Sequence, residues 1–348
     1  MLKLIKHIID LKSVKEEYLL LFKGFLLLFP FMVVITMYIH EDPFKVLRTY
    51  QDYDYSQVFQ NEGAIGWYKY KLYRDEAHYD SFIMGNSCTM AFFGYDWKKY
   101  IQGSPFRFFS NAESLADLYY KLSALDNQKS QPIRNLLIVL DRSLLKKDYI
   151  SSGFMHVMPP EVSHISKMRY QEAYIQGFFT PRFFIPYVDY KIFHVYRRGT
   201  MKGIINPITF AHYGEMNDAV SFHEKEIKDE GEKYWQTEYW QEIFEKQSER
   251  YTYPQCIYGL QKKYLLKIKA ICDKHSTNVK IVISPSQTWN KLNEKDVRTM
   301  KTLFGNDNVF DYSGINKLSS DYHYFYDISH YSRSAGRIIL YDIYGLKN

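Results

Sequence analysis

Apolar positions along the chain fall into three patterns. Near the amino terminus the run Gly24 to Ile39, GFLLLFPFMVVITMYI, is almost wholly apolar. With Tyr18 to Lys23 added it is long enough to cross a bilayer, Lys23 snorkelling to the interface, and Pro30 is compatible with insertion. Four short apolar runs predict strands: Ser81 to Met84, Phe106 to Phe109, Asn135 to Leu140 and Val279 to Ile283. Longer stretches with helical spacing lie at Leu115 to Leu125, Gln255 to His275 and Ala335 to Tyr344, and CTMAFFGYDWKKY after Ser87 can start a helix. Strands alternating with helices predict an α/β, three-layer α/β/α domain with a mainly parallel sheet, active at the carboxyl ends of its strands.

Between these elements the pattern weakens. Residues 40–80 are polar and aromatic and read as a juxtamembrane connection. Residues 146–250 fit the sheet poorly, hold Pro159, Pro160, Pro181, Pro186 and Pro207, and read as a middle insertion or lid. Within it, Phe178 to Tyr196 surrounds Arg182 and Lys191 with aromatics, which suits short helices forming a lid or lying on a lipid surface, or an internally packed subdomain. Residues 218–250 are charge-rich and read as a solvated helical region or helix pair. The expected organisation is a leader at 1–17, a transmembrane anchor at 18–39, the connection at 40–80 and the catalytic domain at 81–348, interrupted by the insertion.

Composition adds limits. A chain of 348 residues with 46% hydrophobic and 24% charged residues can bury a large core. Its 33 Tyr and 24 Phe suit packing, and also broad amphipathic contacts to glycans or interfaces. The formal charge of +6 favours anionic polymers or lipid headgroups, but no concentrated basic stripe or reader module accompanies it, which excludes nucleic acid as a partner. Before the apolar run, Lys3, Lys6, Lys12, Lys15 and Lys23 outnumber Asp10, Glu16 and Glu17; this bias places the amino terminus in the cytoplasm and the large domain outside. No small-x-small cleavage site closes the run, so a retained single-pass anchor is expected rather than a cleaved signal.

The chemistry-bearing residues are distributed. Cys88, Cys256 and Cys272 have no metal-ligand spacing, and neither C-x-x-C nor H-E-x-x-H occurs; no metal and no cofactor is implied. A Cys256–Cys272 bridge is an open option. His156, His164, His194, His212, His223 and His323 are dispersed. Ser87 follows the first predicted strand in GNSC, a strand-turn-helix setting that exposes a nucleophile, and Asp327 and His330 share the segment FYDISHYS. Together they could form a nucleophile, an orienting carboxylate and a general base. Each also has a plainer reading: Ser87 as a turn or helix cap, Asp327 as a brace for the last helix, His330 as a core group. Cys88 is an alternative nucleophile if its thiolate lies beside an imidazolium. The backbone N–H groups of Ser87 and Cys88 and the Asn111 side chain are oxyanion candidates, Asn111 serving equally as a cap. Arg142 is a candidate substrate contact or one half of a salt bridge.

On MGNSCTM, YDISHYS and the amino-terminal apolar segment, the chain resembles the SGNH/GDSL-like hydrolases and acyltransferases, and among them the DltD-like membrane-anchored proteins. The resemblance covers that segment and residues 80–348. It implies that Ser87 is the nucleophile and Asp327 and His330 the late D-x-x-H pair. GNSC stands where the secreted hydrolases commonly have G-D-S, and Asp141-Arg142 rather than a G-x-N-D block follows Asn135 to Leu140. The implied function is an extracytoplasmic O-acyltransferase acting on an envelope polysaccharide or teichoic-acid-like polymer through an acyl-serine. An envelope carbohydrate acyl-esterase and a non-catalytic glycan-binding or assembly protein are the alternatives. The implied partners are an acyl donor, the envelope glycan or polymer, the lipid bilayer and a multi-spanning protein that delivers acyl groups.

Overall fold

The computed structural model describes residues 2–206 and 214–345, with side chains from Tyr18 onward. His212 and Pro207, and the side chains of Lys3, Lys6, Asp10, Lys12, Lys15, Glu16 and Glu17, lie outside the described residues. The chain divides into two compact units, 1–49 and 50–348.

The first unit is dominated by α1, Leu2–Glu41, a helix of 40 residues that runs without a break through Pro30. Its apolar part, Tyr18–Glu41, has 24 residues, which at 1.5 Å per residue is about 36 Å and long enough to span a bilayer. Leu20, Leu27 and Phe31 on it are exposed.

The second unit begins at Tyr50 rather than Ser81. Its elements in chain order are α2 (Glu62–Ala77), β1 (Ser81–Gly85), α3 (Gly94–Trp97), β2 (Pro105–Phe109), α4 (Leu115–Asp126), β3 (Asn135–Leu140) and α5 (Arg142–Lys146). The middle of the chain adds α6 (Pro160–Ser163), α7 (Lys167–Phe179), α8 (Pro181–Phe193), α9 (Arg198–Met201), α10 (His223–Glu230) and α11 (Glu238–Gln247). The last part is α12 (Gly259–His275), β4 (Asn278–Ile283), α13 (Glu294–Phe304), β5 (Val309–Asp311) and α14 (Arg333–Tyr344). Residues 62–77, inside the stretch expected to be a connection, are thus a helix, and β5 is a strand the apolar pattern did not predict.

All five strands are parallel, in the order β2-β1-β3-β4-β5. Successive side chains alternate between faces, so the apolar runs feed two cores. Phe82, Met84, Leu136, Ile138 and Ile281 join Trp67 and Tyr70 of α2, Leu118 and Leu122 of α4, Leu265 of α12 and Met300 of α13. Ile83, Leu137, Val139 and Val282 join Phe92, Trp97, Trp240 of α11 and Ile339 and Leu340 of α14. The result is a three-layer α/β/α domain. From β1 the chain passes to β2 on one side and then to β3 on the other, which opens a crevice at the carboxyl ends of these strands. Along the edge strand β2, fully buried Arg107 donates through Nε and Nη2 to the Asn217 carbonyl at 2.8 and 2.6 Å. Asn217 Nδ2 returns a bond to the Arg107 carbonyl at 2.8 Å, and this cover keeps the edge from presenting open backbone groups.

Candidate functional site

β1 ends at Gly85 with φ +149°, where a Cβ would sit 1.9 Å from the Val139 carbonyl oxygen. Only glycine lets β1 leave the sheet this close to β3. Asn86 then shapes the turn: its Oδ1 accepts from the Cys88 N–H at 3.0 Å, and its carbonyl accepts from the Thr89 N–H and hydroxyl at 3.0 and 2.9 Å. The short 3₁₀ turn Ser87–Ala91 that follows places half-buried Ser87 at the mouth of the crevice.

Asp327 and His330 lie on a tight reversal before α14, closed by an antiparallel bridge between Phe325 and Tyr331 and by Tyr326 N–H donating to the His330 carbonyl at 2.8 Å. The D-x-x-H spacing has a local cause. Asp327 Oδ1 accepts from the Ser329 and His330 N–H groups, both at 2.8 Å, which fixes the turn. Its Oδ2 remains for the imidazole and accepts from His330 Nδ1 at 2.7 Å. Side chains from 221–250 support the same reversal: Tyr234 Oη donates to the Tyr326 carbonyl at 2.6 Å and Trp235 Nε1 to the Phe325 carbonyl at 3.1 Å.

The two segments, far apart in sequence, are held together by α14. A Cβ on Gly336 would lie 1.9 Å from the Ala91 carbonyl oxygen, so α14 rests directly on the Ser87 turn. Buried Asp96 of α3 accepts from Arg333 Nε at 2.5 Å, Arg337 Nε at 3.0 Å and Lys99 Nζ at 3.0 Å. Burial would raise the Asp96 pKa, but these three cations hold it far below the usual carboxylate range.

Ser87 Oγ lies 2.7 Å from His330 Nε2. A carboxylate only accepts, so the proton sits on His330 Nδ1, and the Nε2 lone pair faces the Ser87 hydroxyl. Burial opposes the charge on both His330 and Asp327, and their pairing overrides it. The Asp327 carboxyl is held down to about 2 by the His330 hydrogen bond and charge and the two backbone N–H groups. His330 is raised above its ordinary value by the Asp327 hydrogen bond and charge, with Asp141 adding to it. Ser87, Asp327 and His330 thus form one continuous hydrogen-bonded chain.

They open into a cavity of about 460 Å³, whose wall includes Asn111, Phe109, Met90 and His223. Asn111 stands on the loop after β2, fixed by His156 Nδ1 donating to its carbonyl at 2.9 Å and Lys147 Nζ donating to the Ala112 carbonyl at 2.9 Å. Its side-chain amide is unengaged among the described residues. Of the two backbone groups singled out, the Cys88 N–H is occupied by Asn86 and the Ser87 N–H has no acceptor among the described residues.

Arg142 is not in this cavity. It lines a separate one of about 260 Å³ with Cys88, Asp141, Ser284 and Tyr253, its guanidinium 4.8 Å from the Tyr253 ring centroid. The reason is local: Asp141 Oδ1 caps α5 by accepting from the Leu144 N–H at 2.8 Å, so the chain turns away at once after β3. Cys88, Cys256 and Cys272 are buried free thiols, so the optional Cys256–Cys272 bridge is not formed. Burial pushes the Cys88 thiol far up, the reverse of an activated thiolate, and it contacts the Ser329 carbonyl at 3.6 Å rather than the imidazole.

Much of the cavity wall was not singled out from sequence: Tyr53, Asp54, Phe59 and Glu62 come from the segment read as a connection. No spacing or motif marks them. No group of His, Cys, Asp and Glu arranged for a metal ion occurs among the described residues. No family model, no curated protein and no solved structure matches the chain.

Proposed function

We propose that this chain is a single-pass, membrane-anchored extracytoplasmic O-acyltransferase of the SGNH-like kind, acting on a hydroxyl-bearing envelope polymer through an acyl-serine. The observation that carries the reading is the hydrogen-bonded chain Ser87 Oγ, His330 Nε2, His330 Nδ1, Asp327 Oδ2, with both contacts at 2.7 Å, at the strand ends where α/β sheets bind their ligands. The apolar α1, with the lysine bias on its amino-terminal side, supports an anchor that leaves the domain outside.

In the first half-reaction Ser87 Oγ attacks the donor's ester or thioester carbonyl while its proton passes to His330 Nε2. Asp327 stabilises the imidazolium so formed. The Ser87 N–H and the Asn111 amide are the donors available to the tetrahedral oxyanion. Collapse breaks the bond to the leaving group, which takes the proton from His330. In the second half His330 removes the proton of an acceptor hydroxyl as that oxygen attacks the acyl-serine, and the proton returns to Ser87 Oγ as the new ester departs. A multi-spanning membrane protein is the natural source of the donor, since one anchor helix supplies no channel. The cavity, at about 460 Å³, is far larger than a two- or three-carbon acyl group, which favours an acceptor bound beside the acyl-serine over hydrolysis by water alone.

The test is covalent labelling of the full chain in detergent with a fluorophosphonate, read by intact mass and peptide mapping. The expected result is one adduct on Ser87, absent in Ser87→Ala and strongly slowed in His330→Ala. A folded protein that takes no adduct, or takes it on Cys88, overturns the assignment.

A further inference from the structure

The segment 167–203 combines charge and exposure in a way the site does not use. Seven Lys and Arg stand there against only Glu172 and Asp189, so five of the chain's six net positive charges fall in this stretch. Its two longer helices turn five aromatic rings inward: Tyr170, Tyr174 and Phe178 of α7 and Phe183 and Tyr187 of α8 are buried. Several of their outward positions are apolar as well. On α8, Ile185 is 65% exposed and Ile192, two turns on, 63%; Phe193 and Val195 continue the exposed row at 60% and 52%. On α7 the same two-turn spacing leaves Met168 81% and Ile175 44% exposed. Isolated exposed apolar residues are ordinary, but a row at helical spacing among Arg182, Lys191, Arg197 and Arg198 is a surface with a chemistry.

We infer that the outward face of α8 and its continuation to α9 is a second membrane contact, which lies in the interface of a bilayer containing anionic lipid. Ile185, Ile192 and Phe193 supply the apolar side of an interfacial helix, and the surrounding guanidinium and ammonium groups match phosphate-bearing headgroups within a Debye length of the surface. The occupant is a lipid surface rather than a nucleic acid, because the row between the charges is mainly aliphatic and its one ring, Phe193, already faces the Arg197 guanidinium at 5.4 Å. The inference also draws on the reading of α1 as a bilayer-spanning anchor, since a tethered domain meets the membrane at high effective concentration.

The test uses the full chain in liposomes of phosphatidylcholine, alone or mixed with phosphatidylglycerol. An environment-sensitive fluorophore is placed on Ile185→Cys and, in separate proteins, on Ile192→Cys, Leu260→Cys of α12 and Leu26→Cys of α1; the three native thiols are buried. The expected result at 185 and 192 is a blue shift and quenching by spin-labelled lipid in the mixed liposomes, weaker in phosphatidylcholine and reduced by salt. Combining the label with Arg182→Glu and Arg198→Glu should abolish the shift, and the probe at 260 should stay in water. A probe that remains wet at 185 and 192 in both lipids overturns the inference. So does drying that requires an added multi-spanning protein, which would make the face a protein contact. The probe at 26 reports separately on the anchor, so a failed anchor and a failed α8 contact give different patterns.

Discussion

Two neighbouring stretches of the middle region use aromatic residues in opposite ways. Residues 221–250 are acidic, with nine Asp and Glu against five Lys and Arg, and turn Tyr234, Trp235 and Trp240 into the core beside the Asp327–His330 reversal. Residues 167–203 are basic, bury five of their rings among themselves and leave a mainly aliphatic row, with Phe193, outside. One stretch is tied by hydrogen bonds to the backbone that carries the proposed base; the other has no bond to that reversal among the described residues. Charge pattern alone would call both solvated surface helices. What separates them is where the rings go and which backbone groups they bond.

The largest expected effect tests what the acidic stretch is holding. Asp327→Asn keeps an oxygen for the Ser329 and His330 N–H groups but removes the acceptor for His330 Nδ1, so the fold should persist while acylation of Ser87 by an activated ester falls about 10⁴-fold. The pH profile gives the same test in another form. His330 must be neutral to act as a base, so the rate should rise with pH through a midpoint above about 6.5, because Asp327 and Asp141 raise its pKa. In Asp327→Asn the residual activity should show a lower midpoint, since burial remains while the Asp327 hydrogen bond and charge are gone and only the Asp141 charge still favours the imidazolium. An unmoved midpoint would mean that another group titrates.

A smaller effect is expected one layer out. Tyr234→Phe keeps the ring and deletes the bond to the Tyr326 carbonyl, and Trp235→Phe deletes the bond to the Phe325 carbonyl together with part of the ring. Each should cost about 1–2 kcal/mol in denaturant unfolding and slow Ser87 acylation about tenfold through a looser His330. Stability lost without a change in rate would separate the acidic stretch from the site. The smallest effect belongs to the basic stretch. Ile185→Ser should change stability by no more than about 0.5 kcal/mol and leave acylation by a water-soluble ester in detergent unchanged. A clear loss of rate there would break the contrast.

The central strands were legible because each is a short run buried on both faces. Asn135 to Leu140 was read to the residue, and β1, β2 and β4 each to within one residue at one end. β5 was not, since Val309–Asp311 has three residues and shows no period. α2 does not stand out in the sequence because its buried face includes Trp67, Tyr70 and Lys69 among other Tyr and charges, which blurs the apolar stripe. The Ser87, Asp327 and His330 cluster could be read because the last two share one turn and Ser87 follows a strand. The cavity wall at 53–62 could not, because it arises only when a distant segment packs across the strand ends. Position after β3 makes Arg142 a candidate substrate contact or salt-bridge partner, and the structure sets it in the neighbouring cavity with Asp141, Cys88 and Ser329.

Gly85 and Gly336 set a limit of a different kind. Neither carries chemistry, yet at each the next carbonyl stands 1.9 Å from where a side chain would begin. Permissiveness to substitution across this protein therefore should not track closeness to the hydroxyl of Ser87. Asn111 and His223, on the cavity wall, have polar tips that other residues could replace while the chain still folds, whereas the two glycines admit no replacement without moving backbone. In a saturation library scored for folded protein, the sharpest intolerance should fall on two residues with no functional group at all.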